Sequence, residues 1–161
     1  LNQHLTIGII GAGGFAAFAA KAFLKIEGVH VKAITDVSPS FAGALAEEIN
    51  ALVYVTYDDM LADNTIDLIY IATPPYLHYL QSKQALHAGK HVICEKPAAL
   101  RTIEAEELAI YAREHFLLYS VNLMQRYNPL YATVKTIIDE QWLGDFVHGF
   151  FDNYASDEKL I

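Results

Sequence analysis

Short runs rich in aliphatic and β-branched residues alternate along this chain with amphipathic segments of helical length. Leu5–Ile10 precedes Phe15–Ile26, Val29–Asp36 precedes Ser40–Asn50, Asp67–Thr73 precedes Tyr76–Ala88, His91–Glu95 precedes Thr102–His115, and Phe116–Asn122 closes the series. A strand followed by a helix returns to start its next strand in the same direction, so the order predicts an α/β fold on a parallel sheet. The run Leu68-Ile69-Tyr70-Ile71-Ala72 is apolar at successive positions. Both faces of the sheet are therefore expected to be covered by helices, which is the doubly wound arrangement. Ser38-Pro39 reads as a helix start, because serine accepts from free helix N–H groups and proline fits the first turn. From Tyr127 the pattern changes to a helix over about Pro129–Glu140, a turn at Leu143-Gly144-Asp145 and a β-rich run over Phe146–Tyr154.

Immediately after the first run comes Gly11-Ala12-Gly13-Gly14-Phe15-Ala16, which fits G-x-G-x-x-A. Gly11 permits a tight turn, Gly13 lets the backbone approach a diphosphate, and Ala16 lets the helix pack closely on the strand. The helix opening at Gly14 and Phe15 offers free N–H donors and about half a positive charge to an anion. A glycine-rich strand-to-helix turn without a ligand is the competing reading. Asp36, about 20 residues beyond the motif at the end of the second run, argues against it, since an acid there accepts the ribose hydroxyls of a dinucleotide. The same carboxylate would repel a 2′-phosphate, by up to ~4 kcal/mol for unit charges about 4 Å apart. Val37-Ser38-Pro39-Ser40 supplies no cation to offset this. NAD is expected to be preferred over NADP. No Gly-Lys-Ser/Thr follows the glycines, which excludes a nucleotide-hydrolase phosphate loop.

Further candidates lie where a doubly wound sheet places its ligands, at the carboxyl ends of the strands. They are Thr73-Pro74-Pro75 with His78, Glu95-Lys96-Pro97, and Asn122 with Arg126-Tyr127. Lys96 follows an apolar strand and would hold an ammonium at the mouth of the crevice, able to polarise a substrate oxygen. Thr73-Pro74 ends a strand and frees backbone groups for a ribose. Glu95 could pair with Lys96 or with another cation. His78 begins a helix and reads as lining the site, while His91 and Cys94 read as core residues.

Ile71-Ala72-Thr73-Pro74-Pro75-Tyr76-Leu77-His78 and Ala88-Gly89-Lys90-His91-Val92-Ile93-Cys94-Glu95-Lys96-Pro97 resemble the Thr-Pro-x-x-x-His and Gly-Lys-His-Val-x-x-Glu-Lys-Pro signatures of the glucose–fructose oxidoreductase, inositol dehydrogenase and MocA family. The resemblance covers essentially the whole chain and implies a Rossmann NAD-binding domain over residues 1–122. A connecting helix and the first strand of a second, α+β substrate domain would then occupy 123–161. It implies that Lys96 contacts substrate and is catalytic, with a cis Lys96–Pro97 bond, and that Thr73, Pro74, His78, Glu95, Lys96, Asn122 and Arg126 join Gly11, Gly13, Gly14, Phe15, Ala16 and Asp36 around the cofactor. The implied reaction is hydride transfer between nicotinamide and a secondary alcohol or carbonyl of a sugar, polyol or cyclitol. A histidine of the second domain would take the proton, and a homo-oligomer would form through that domain. A non-catalytic cofactor-sensing regulator of the same fold is the alternative from another class, and a structural domain with an empty crevice is a third.

The 161 residues carry 11 basic and 19 acidic side chains, a net charge of −8, which argues against nucleic acid and anionic lipid as partners. No stretch reaches the ~20 apolar residues of a membrane span. The lone Cys94 cannot form an internal disulfide, and the expected location is cytoplasmic. The His, Cys and acidic residues show no metal-ligand spacing. The chain begins without Met, as a processed or trimmed chain would. It is expected to bind NAD, to be inactive by itself, and to have Phe146–Ile161 disordered or paired with another chain.

Overall fold

The computed structural model describes residues 4–150. The elements run β1 (Leu5–Ile10), α1 (Gly14–Phe23), β2 (Val29–Thr35), α2 (Pro39–Ile49), β3 (Leu52–Val53), α3 (Tyr57–Ala62), β4 (Leu68–Ile71), α4 (Pro75–His87), β5 (His91–Cys94), α5 (Thr102–Glu114), β6 (Tyr119–Val121), a 3-10 helix (Met124–Tyr127) and α6 (Pro129–Asp139). The strands form one six-stranded sheet in the order β3-β2-β1-β4-β5-β6, and every neighbouring pair is parallel. The order reverses between β1 and β4. A crevice opens at such a switch point, outside the carboxyl ends of the strands.

Alternation along the strands sends side chains into two separate cores. Ile7, Ile9, Leu68 and Tyr70 face α1 and α2, where Ala16, Ala19, Ala20, Leu45 and Ile49 meet them. Ile10, Ile69, Ile71, Val92 and Cys94 face the other way, against Met60 of α3, Leu86 of α4 and Leu108 of α5. The central strands β1 and β4 are thus buried on both faces over most of their length, as their uninterrupted apolar runs require. The fold is the doubly wound parallel α/β arrangement expected from the sequence.

Two elements between residues 52 and 62 have no counterpart in the sequence reading. β3 is two residues long with both side chains exposed, too short for any periodicity to show. α3 carries a local signal: Thr56 Oγ1 accepts from Asp59 N at 3.1 Å and donates to Asp59 Oδ2 at 2.6 Å, a variant of the capping box. The strand expected over Phe116–Asn122 narrows to Tyr119–Val121. Phe116 takes a left-handed φ of 56° and Leu117 N donates to Ala112 O, so these residues terminate α5. Ser38 stands at the start of α2, but its hydroxyl meets Ser40 Oγ and not a helix N–H group.

The amino end of the sheet is held by polar side chains. The register of β1 on β2 slips between Ile7–Val31 and Gly8–Ala33, leaving Lys32 unpaired as at a β-bulge. Lys32 Nζ reaches Asp63 Oδ2 and Thr65 Oγ1, each at 2.5 Å, and Tyr54 Oη donates to the same Asp63 oxygen at 2.7 Å. Lys90, nearly buried, donates to Asp63 O at 2.8 Å and Ile66 O at 2.9 Å. The Lys of Gly89-Lys90-His91-Val92 therefore clamps the turn that leads into β4.

The described residues divide between Leu123 and Met124 into two compact units. In the second, Asn128 Oδ1 caps α6 by accepting from Leu130 N at 3.0 Å. Residues 146–150 form no strand, since a strand needs a neighbour to pair with. The rest of the expected run, 151–154, and residues 155–161 lie outside the described residues.

The hydrogen bond from Lys32, followed by that from Thr65 N, holds the Asp63 carboxyl below its ordinary range. A carboxyl whose folded value is depressed adds stability that is fully present above the unfolded carboxylate range and is lost as pH falls toward the folded value. Asp63→Asn is expected to lower the melting temperature at neutral pH and to flatten its decline between about pH 5 and pH 2, as followed by circular dichroism.

Candidate functional site

The switch point is narrow because two chain segments touch there. Gly11 takes a φ of 95° and donates its N–H to Thr35 O at 2.9 Å. A Cβ on Gly11 would stand 2.6 Å from the carbonyl oxygen of Ala72, at the end of β4. Gly13 differs: nothing lies within 4 Å of its missing Cβ. It caps α1 with an extended conformation, and its carbonyl oxygen accepts from Ala17 N at 3.0 Å. The N–H groups of Gly14, Phe15 and Ala16 precede that first intrahelical bond and remain available to a ligand. Gly14 and Phe15 are exposed, and Ala16 is completely buried against the sheet.

Asp36 follows β2 and is locked by two backbone donors. Ala12 N donates to Oδ2 and Ser38 N to Oδ1, both at 2.7 Å. The carboxylate thereby joins the glycine turn to the loop before α2, at the edge of a cavity of about 530 Å³. Gly11, Gly13, Thr73 and Pro74 line the same cavity. Its wall is completed by Val37, Phe41, Val55 and Tyr76, all of them exposed apolar or aromatic side chains. Gln81 also lines it and accepts from Thr73 Oγ1 at 2.5 Å.

The remaining candidates in the first unit lie outside this wall, at the carboxyl ends of β4, β5 and β6. His78 is 1% exposed. Its Nε2 lies 2.7 Å from Thr73 O and its Nδ1 2.7 Å from Pro97 O. Both ring nitrogens are thus occupied by backbone, and the ring ties the Thr73–Pro74 turn to the loop after β5. The Lys96–Pro97 bond in that loop is cis. Glu95 is nearly buried, and its Oε1 accepts from Tyr70 Oη at 2.5 Å and Asn122 Nδ2 at 2.7 Å. Lys96 is exposed and has no hydrogen bond or ion pair among the described residues. Arg126 is exposed in the 3-10 helix of the second unit.

Sequence reasoning missed Tyr70, Gln81 and the apolar wall. Tyr70 could have been flagged, since a tyrosine in a strand buried on both faces must find a partner for its hydroxyl. Gln81 and the wall residues gave no comparable signal, because they converge from separate loops and helices. Burial pushes the Cys94 thiol up to about 12, so it is a core group and not a nucleophile. No three His, Cys, Asp or Glu side chains come together as a metal site among the described residues. Likewise none of their helices is long and apolar enough to cross a membrane.

A glycine turn, an anchored acid and an open helix N-terminus at the switch point of a doubly wound sheet define a dinucleotide-binding domain of the Rossmann class. The family model described as "Oxidoreductase family, NAD-binding Rossmann fold" matches residues 5–123, and the chain belongs to this glucose–fructose oxidoreductase, inositol dehydrogenase and MocA family. It is similar to scyllo-inositol dehydrogenase from Lactobacillus casei with bound NAD(H) and scyllo-inositol, at 30% identity and a TM-score of 0.82 over 89% of this chain and 43% of that one. A 3-ketoreductase from Actinomadura kijaniata, in complex with NADP and TDP-benzene, is 31% identical with a TM-score of 0.79 over 84% of this chain and 42% of that one. The dTDP-3,4-didehydro-2,6-dideoxy-alpha-D-glucose 3-reductase of Streptomyces violaceoruber is 31% identical over 84% of this chain and 41% of its own length. The chain thus spans less than half the length of each of these relatives.

Gly11→Ala is expected to destabilise the chain by about 2–4 kcal/mol, combining left-handed strain with the clash against the Ala72 carbonyl. Urea unfolding measures this. Cys94 in the folded chain is expected to react with a thiol reagent only as fast as the chain unfolds.

Proposed function

We propose that this chain is the cofactor-binding part of an NAD-dependent dehydrogenase acting on a secondary alcohol of a sugar, polyol or cyclitol. The anchored Asp36 carboxylate at the rim of the 530 Å³ cavity carries the reading. Both of its oxygens are aligned before any ligand arrives, so ribose hydroxyls meet fixed acceptors, and a 2′-phosphate meets fixed like charge. The fold itself accommodates either cofactor, as the NAD(H) and NADP complexes of the two solved relatives illustrate. Discrimination therefore falls to local groups such as this acid.

The residues present fit a dinucleotide. The space beside Gly13 is open, the first N–H groups of α1 suit a diphosphate, and the apolar wall of Val37, Phe41, Val55 and Tyr76 suits a flat base. NAD, when bound, supplies the carbon that exchanges the hydride. Thr73, Pro74 and Asn122 shape the floor of the site, Glu95 presents an acceptor, and Gly14, Phe15 and Ala16 complete the helix opening. Lys96, free of any partner among the described residues, binds the reacting oxygen and stabilises the charge that develops on it. The family resemblance also puts Arg126 among the proposed cofactor-binding residues. His78 supports the site from beneath, since both ring nitrogens are committed to backbone carbonyls. The relatives' own names support a sugar, polyol or cyclitol as the substrate. A homo-oligomer and the second-domain role of residues after 122 belong to the same proposal.

Calorimetric titration is expected to show NAD binding more tightly than NADP, with Asp36→Ala narrowing the gap. Equal affinities in the unchanged chain would overturn the cofactor assignment. Gly13→Ala is expected to leave the melting temperature unchanged while weakening NAD by roughly tenfold or more, about 1.4 kcal/mol. Full affinity in that variant would remove the diphosphate from the glycine turn.

A further inference from the structure

We propose that Tyr70 is a positioning residue for the Glu95 carboxylate and, through it, for NAD in the crevice. This rests on the reading of the chain as an NAD-binding domain. Tyr70 sits on β4 and is 1% exposed. Its ring meets Phe23 of α1 edge-on, with centroids 5.3 Å apart. Its hydroxyl leaves this apolar packing and donates to Glu95 Oε1 at 2.5 Å. The register pairs Tyr70 with Ile93, two residues before Glu95. Side chains alternate along a strand, so Tyr70 and Glu95 share the sheet face covered by α1, the helix that the glycine turn opens.

A carboxylate can accept about four hydrogen bonds. Here both described donors, Tyr70 Oη and Asn122 Nδ2, converge on one oxygen. Oε2 receives none among the described residues, and Glu95 retains 7% exposure. The arrangement fixes one oxygen from within the sheet and leaves the other as an acceptor. Burial, and then the Glu95 carboxylate, push ionisation of the Tyr70 phenol above its ordinary range, so the phenol stays a donor. Without that hydroxyl, Asn122 alone would anchor Oε1, and the broad terminal torsion of glutamate would no longer be set.

The test is Tyr70→Phe, which keeps the ring and removes only the hydroxyl. NAD affinity measured by calorimetry is expected to fall roughly tenfold, the scale of one hydrogen bond to a charged group. In a Glu95→Gln background the same change is expected to cost less than about twofold, because the two side chains act as one unit. Unchanged affinity in Tyr70→Phe, or an equal loss in both backgrounds, would overturn the proposal, since the latter marks a packing effect. A second measurement needs no variant: the Tyr70 hydroxyl proton, held against a carboxylate, should give a low-field proton resonance that moves on addition of NAD. A resonance that is absent or indifferent to NAD counts against the proposal even if Tyr70→Phe fails to fold. An unchanged chain that binds no NAD overturns the functional reading and this proposal together, whereas the outcomes above overturn this proposal alone.

Discussion

The carbonyl of Ala72 occupies the space where any side chain at position 11 would have to stand, since a Cβ there would lie only 2.6 Å from its oxygen. This approach sets the distance between the ends of β1 and β4, the strands that flank the reversal of sheet order. Because Gly11 carries no side chain, the turn after β1 and the turn after β4 can share one small space. Thr73 and Pro74 then face Gly13 and Asp36 across a single cavity. A bulkier residue would separate the turns, and the groups now gathered around the crevice would lose their common surface.

The two ends of the sheet use polar groups in opposite ways. At the amino end, Lys32, Tyr54, Asp63, Thr65 and Lys90 bond to one another and to backbone carbonyls. That network is directed inward and stabilises the turn into β4. At the carboxyl end two acids are held from one side and a lysine is left unpaired. Asp36 is anchored by Ala12 N and Ser38 N while lining the cavity. Glu95 is anchored through one oxygen, and Lys96 is not paired with any described residue. Buried or half-buried polar atoms without partners carry a desolvation cost unless a ligand or water completes them. The asymmetry leaves unfilled hydrogen-bonding capacity at the carboxyl end of the sheet and little at the amino end.

Support beneath the site comes from side chains that do not reach its surface. His78 joins the Thr73–Pro74 turn to the loop of Lys96 and Pro97 through two backbone carbonyls. Tyr70 joins the core under α1 to the Glu95 carboxylate. Ala16, fully buried, lets the helix that opens the glycine turn lie directly on the strands.

The sequence by itself determined the alternation of strands and helices, the burial of both sheet faces, the glycine turn with its acid, and the family signatures. These are local patterns or fixed spacings, and local sterics and side-chain periodicity suffice to produce them. It did not reveal β3, whose two residues carry no period, nor α3 beyond its capping pair. It marked His78 as lining the site, and only the packing of α4 against the loop after β5 showed the ring enclosed between two carbonyls. The hydrogen-bond partners of Tyr70 and Gln81 and the apolar cavity wall likewise emerged with tertiary structure. Each depends on residues distant in sequence meeting through sheet register and helix packing, and such contacts leave no period or motif in the chain.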